Sequence, residues 1–190
     1  GVAVGPDCMT YSVGFRAPSR RDLIEDWSAH VAEGLAEDDR YADPGLPHQS
    51  NPGEITPEAL ARLHDLATQA LADRAGFARW FGQASSTPKY PHADWRPDAP
   101  VAREDVRDAL DAGLPVQRNP ASRFVFVREG ADALTLFVDG EAFACAGAAA
   151  RFAERLCAAD AVAVEGADEA VLALIAALAS QGSVILGAED

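Results

Sequence analysis

Hydrophobic positions along this 190-residue chain follow two rhythms, and the change of rhythm divides it. At the start the period is two. Met9, Tyr11, Val13 and Phe15 alternate with Cys8, Thr10, Ser12 and Gly14, as in a strand with a bulky apolar face and a small, partly polar one. The small face suits either the wall of a pocket or barrel interior or a solvated sheet surface. A Gly-Pro-Asp turn at 5–7 joins this run to an earlier apolar one, Val2 to Val4. Two strands alone are marginal in water, so they are expected to belong to a larger sheet. The residues immediately after Pro18 read as helices rather than as the rest of that sheet, and Gly1 is therefore read as a cut.

From residue 19 the period becomes helical. Ser19 and Asp22 have the spacing of a capping box, and Leu23, Trp27, Val31 and Leu35 recur every four residues, predicting a helix from about Arg20 to Ala36. Asp38 to Gly53 reads as a loop. Thr56-Pro57-Glu58 is a helix start with a cap, a proline in the first turn and an acid near the positive end of the dipole. Leu60, Leu63, Ala67, Ala70 and Leu71 mark the side that this helix is expected to bury. After Gly76, Phe77, Trp80 and Phe81 fall on one side of a short aromatic helix, whose partner surface is either the core or a second copy of the chain.

Ser85 to Pro100 is irregular and proline-rich, and 87–100 is taken as a linker. Beyond it lies a second α+β domain, 101–190. A helix is predicted from Arg103 to Ala112, then strands at Pro115 to Arg118, Arg123 to Arg128 and Leu134 to Val138. Asp139-Gly140 signals a two-residue hairpin returning into Glu141 to Cys145. Helices from Ala148 to Cys157 and Asp168 to Ser180 and a last strand from Ser183 to Leu186 complete the domain.

Composition narrows the function. The net charge of -14 disfavours nucleic acid, which needs a basic footprint, and suits either solubility or a basic protein partner. Cys8, Cys145 and Cys157 form no paired spacing, which fits a reducing compartment, and the cytoplasm is the expected location. The longest apolar-rich run, Ala167 to Leu178, is too short to span a bilayer. No phosphate loop, nucleophile elbow or zinc spacing is present. His92-Ala93-Asp94 has the His-x-Asp spacing of non-haem iron sites. It sits in the linker, where nothing rigid would hold ligands, and no later histidine comes after it, so His92 and Asp94 are read as a chance spacing. His30 and His64 have no second ligand one helical turn away. The chain as written holds no convincing catalytic constellation.

Met9-Thr10-Tyr11-Ser12-Val13-Gly14-Phe15-Arg16-Ala17-Pro18, with Arg21-Asp22-Leu23-Ile24, resembles a segment of the bacterial ribosomal oxygenases. Tyr41-Ala42-Asp43-Pro44 and Phe77-Ala78-Arg79-Trp80-Phe81-Gly82 extend the resemblance, and the linker leading into an α+β domain matches in architecture. These are cupin-fold, JmjC-type enzymes that use Fe(II) and 2-oxoglutarate to hydroxylate an arginine of a large-subunit ribosomal protein.

The resemblance implies an α+β fold in three parts. Residues 1–18 would be the closing strands of a cupin (double-stranded β-helix) barrel, 19–86 a helical dimerisation region, and 101–190 a winged-helix-like domain. It implies a homodimer with Leu23, Trp27, Val31, Phe77, Trp80 and Phe81 as interface candidates. Thr10 and Ser12 would line the cosubstrate pocket. The metal ligands would precede this chain, so these residues alone are expected to carry no iron or 2-oxoglutarate and to be inactive. The competing readings are a non-catalytic dimeric module for a basic protein and a DNA-binding winged helix, the latter disfavoured by charge.

Overall fold

The computed structural model describes residues 17–42, 45, 47–88 and 94–187. The predicted strand around Met9 to Phe15, with Thr10 and Ser12, lies outside the described residues. The rest falls into two compact units, 1–72 and 73–190.

In the first unit, helix α1 (Arg20–Glu33) starts at the anticipated capping box. The Ser19 Oγ accepts the Asp22 N–H at 3.0 Å, and Asp22 Oδ2 accepts the Ser19 N–H at 3.2 Å. It ends a turn earlier than the periodicity suggests, because Gly34 caps it, and Leu35 is left exposed. Helix α2 (Pro57–Gln69) opens on Thr56, whose Oγ1 accepts the Ala59 N–H, and runs into a 3-10 turn at Ala70–Ala72. Its anticipated buried side is not buried: Leu60 is 60% exposed, Leu63 41% and Leu71 39%. Among the described residues of this unit only Trp27 is buried. Trp27 Nε1 donates to the Leu71 carbonyl at 3.1 Å, tying α1 to the turn after α2.

The second unit contains the core. Its elements are α3 (Arg74–Ser86), α4 (Arg103–Asp111), β1 (Val116–Arg118), β2 (Phe124–Arg128), β3 (Ala133–Val138), β4 (Glu141–Ala146), α5 (Gly147–Ala158), β5 (Ala161–Val162), α6 (Glu169–Ser180) and β6 (Val184–Leu186). β2, β3 and β4 form an antiparallel meander in that order, and β1 sits between β5 and β6 in a second antiparallel sheet. Asp139 and Gly140 both have positive φ, 53° and 89°, as a type I′ turn between β3 and β4 requires.

β3 is covered on both faces, and its alternation shows how. Leu134, Leu136 and Val138 join Val106, Val116, Leu156, Leu172, Ile175 and Leu178 in one apolar cluster. Thr135 and Phe137 point the other way, and there Phe137 meets Gly82 of α3 so closely that no side chain fits between them. α6 is apolar over most of its surface and buries residues on several sides, as expected of a central helix.

The second unit departs from the sequence expectations as well. α3, placed with the dimerisation helices of 19–86, instead packs on the β2-β3-β4 meander of the second unit, because Gly82 and Ser86 present a flat surface to it. Ser85 and Ser86, read as the start of the irregular stretch, belong to that helix, and Ser86 is fully buried with its hydroxyl accepting the Gly140 N–H at 3.0 Å. The short strand β5 was not anticipated, since two residues carry no periodicity.

Candidate functional site

Three surfaces carry the chemistry that the described residues offer. The first is the exposed apolar side of the helical unit. Leu60, Leu63 and Leu66 lie along α2, with Ile55 just before it and Ile24 on α1, all exposed. Single exposed leucines are ordinary, but a helix with no buried residue and a leucine every third position is not. The interface candidates of α1 lie differently: Trp27 is buried, and Leu23 and Val31 are half-buried. The Trp27 ring stacks on His30 at 5.6 Å between centroids.

The second surface is the ring cluster of α3. Phe77 and Phe81 are stacked at 6.0 Å, and Trp80 tilts against them at 5.3 and 6.2 Å. Phe77 and Trp80 are half-buried and Phe81 is exposed, on a side of the helix away from Gly82 and Ser86. The structure thus brings Phe77, Trp80 and Phe81 together as anticipated, but on a helix of the second unit.

The third is a cleft of about 450 Å³ where β1 turns into β2, lined by Gln117, Arg118, Asn119, Ser122 and Asp160. The Arg118 guanidinium bonds Asp160 Oδ1 at 2.6 Å and lies over the Phe124 ring, 5.6 Å from its centroid. Asn119 is committed to the fold, accepting the Ala121 N–H and donating to the Gly182 carbonyl. Sequence reasoning missed this cleft because residues 117 and 160 meet only through β1–β5 pairing.

No group of three His, Cys, Asp or Glu residues among the described ones is placed to hold a metal ion. Asp94 accepts the Arg96 N–H at 3.1 Å in an exposed turn, and His92 lies outside the described residues. The described residues therefore do not fit an iron centre. Cys145 and Cys157 are free thiols. Burial raises both, Cys157 to about 11, with Arg118 opposing the rise and Cys145 and Glu154 adding to it. Neither is an activated nucleophile. No described helix is long and apolar enough to cross a membrane.

A small α+β domain with its helices packed around a short antiparallel meander and a second small sheet has the architecture of a winged-helix variant. Residues 69–184 match the family model of the ROXA-like winged helix. The chain belongs to that family. It is also similar to the ribosomal protein uL16 3-hydroxylase of Escherichia coli (strain K12), with 29% identity over 107 residues, covering 56% of this chain and 29% of the relative. In fold it resembles the ribosomal oxygenase YcfD of Escherichia coli. The TM-score is 0.73 at 23% identity over 92% of this chain and 48% of that one. Against YcfD in complex with cobalt and 2-oxoglutarate it is 0.74 at 23% identity, over 93% and 48%. The chain thus spans about a third to a half of the length of the relatives it matches.

Proposed function

We propose that these residues are part of a 2-oxoglutarate- and Fe(II)-dependent oxygenase that hydroxylates an arginine side chain of a large-subunit ribosomal protein. Within it they would supply the dimerisation helices and the C-terminal domain. The observation that carries this reading is the similarity to the uL16 3-hydroxylase together with the winged-helix match over 69–184. A net charge of -14 favours capture of a basic ribosomal protein and steers it at long range. The partner being ribosomal, the cytoplasm is the place of action.

Dimerisation is the role we assign to the helical unit. A face carrying Leu60, Leu63 and Leu66 is stable in water when a second copy covers it. Leu23, Trp27 and Val31 support the same unit from α1, and Phe77, Trp80 and Phe81 of α3 are interface candidates on the second unit by itself. Iron would activate oxygen at ligands supplied elsewhere in the parent enzyme, and these residues would set the position of the bound substrate protein.

Two measurements test this. The intact mass and N-terminal sequence of the product from its native host are expected to show a longer polypeptide with a His-x-Asp pair and a later histidine before Gly1. A product starting at Gly1 leaves the second reading, a non-catalytic dimeric module for a basic protein, which the acidic charge and exposed α2 face also suit. Sedimentation is expected to give a dimer, and Leu63→Asp to shift it to monomer at micromolar concentration. A wild-type chain that sediments as a monomer at every concentration would sink the dimer assignment. The 190 residues alone are expected to give no turnover of 2-oxoglutarate with added iron.

A further inference from the structure

The outer edge of β2 has main-chain groups that the β2-β3-β4 meander leaves unused. In the β2–β3 ladder the Asp139 N–H bonds the Arg123 carbonyl and the Glu129 N–H bonds the Ala133 carbonyl. The odd-numbered residues of β2 therefore turn their main-chain groups toward β3. Phe124, Phe126 and Arg128 turn theirs to the opposite side, where the order β2-β3-β4 places no strand among the described residues. Phe124 to Val127 are all half-buried and Arg128 is exposed.

We infer that this edge is a docking site for an extended, acidic segment of a partner protein, which adds to the sheet as a further strand. Three N–H and C=O pairs at two-residue spacing form the template for such an addition. Charge selects the occupant. The chain is strongly acidic as a whole, yet three arginines line this strand. Arg118 lies over the Phe124 ring and Arg128 over the Phe126 ring, 5.6 and 5.5 Å from the centroids. Arg118 pairs with Asp160 and Arg128 with Glu154, while the Arg123 side chain donates to the Thr87 carbonyl and contacts no carboxylate among the described residues.

The Asp160 side chain is 99% exposed, so a carboxylate of the incoming segment displaces it at little cost. Glu129, the next acid along, is held by the Thr135 hydroxyl on the other face of the sheet. The cleft at Arg118 and Ser122 lies at the start of the strand and has room for a side chain at the end of the added segment. Along the strand the ligand would alternate acidic side chains over the arginine face with apolar ones beside Val125 and Val127.

The test uses the full chain with fluorescein-labelled hexapeptides, one alternating Glu and Val, one alternating Lys and Val, and one Glu-Val peptide interrupted by proline. The Glu-Val peptide is expected to bind and to slow hydrogen exchange at the Phe124, Phe126 and Arg128 amides. The Lys-Val and proline-interrupted peptides are expected to bind about tenfold more weakly or worse, through charge repulsion and a lost main-chain donor. Arg118→Gln and Arg128→Gln each weaken the Glu-Val peptide about threefold, and the more exposed Arg128→Gln does so while leaving the thermal melt in place. Equal affinity for the Lys-Val peptide, or unchanged exchange at those three amides, would overturn the inference. So would protection of the same amides that grows with protein concentration without peptide, since the occupant would then be a second copy.

Discussion

Gly82 and Phe137 show what a single position can hold. An added methyl at Gly82 would overlap the Phe137 ring, which is buried. Gly82→Ala is expected to lower stability by ~1–3 kcal/mol, read as a fall in the urea midpoint with unchanged slope. Cys157 gives a pH prediction. Its folded value is raised from 9.0 to about 11, chiefly by burial, so the thiolate is favoured in the unfolded chain. The stability that this group contributes is whole below pH 9.0 and is lost as pH rises toward about 11. Cys157→Ala should flatten the stability profile in that window. For the same reason iodoacetamide at pH 8 is expected to label Cys145 and Cys157 much more slowly in the native chain than in the urea-unfolded one.

At the scale of elements, the β3–β4 turn is fastened from two sides. The Ser86 hydroxyl accepts the Gly140 N–H and Gln83 Nε2 donates to the Gly140 carbonyl at 3.1 Å, both from α3. The Ser183 hydroxyl donates to Asp139 Oδ2 at 2.7 Å from the segment before β6, and Asp139 Oδ1 accepts the Arg123 N–H. The turn type itself was legible in the dipeptide Asp139-Gly140. Its fastenings by Gln83, Ser86 and Ser183 were not, because those residues lie more than forty positions away, on either side in sequence. Ser86→Ala removes the fully buried hydroxyl that accepts the half-buried Gly140 N–H and is expected to cost about 1–3 kcal/mol in denaturant unfolding.

The two units differ in how much apolar surface they bury, and this sets their stability. Residues 73–190 contain the whole extended apolar cluster, so this segment is expected to melt cooperatively by itself. The helical unit buries Trp27 and leaves Leu60, Leu63 and Leu66 in water. Without a partner surface that burial does not offset the entropy of ordering two helices, and a peptide of residues 17–72 is expected to show only weak helicity by circular dichroism. A sharp melt of that peptide at low concentration would contradict this.

Most of the elements could be read from the chain alone, because each is decided by neighbours in sequence. The capping residues Ser19 and Thr56, the four-residue stripes and the Asp139-Gly140 turn act over a few bonds, and local sterics and main-chain hydrogen bonding decide them. The ribosomal-oxygenase resemblance was likewise carried by contiguous stretches. Which side of an element is covered, and by what, was not local. Leu60 and Leu63 read as a buried face and are exposed, Ser86 reads as irregular chain and is buried in a helix, and α3 sits on a sheet that begins nearly forty residues after it. The open edge of β2 has the same origin. Alternation in Phe124 to Arg128 foretells a strand, but only the pairing order of the finished sheet determines that one side of it has no neighbour among the described residues.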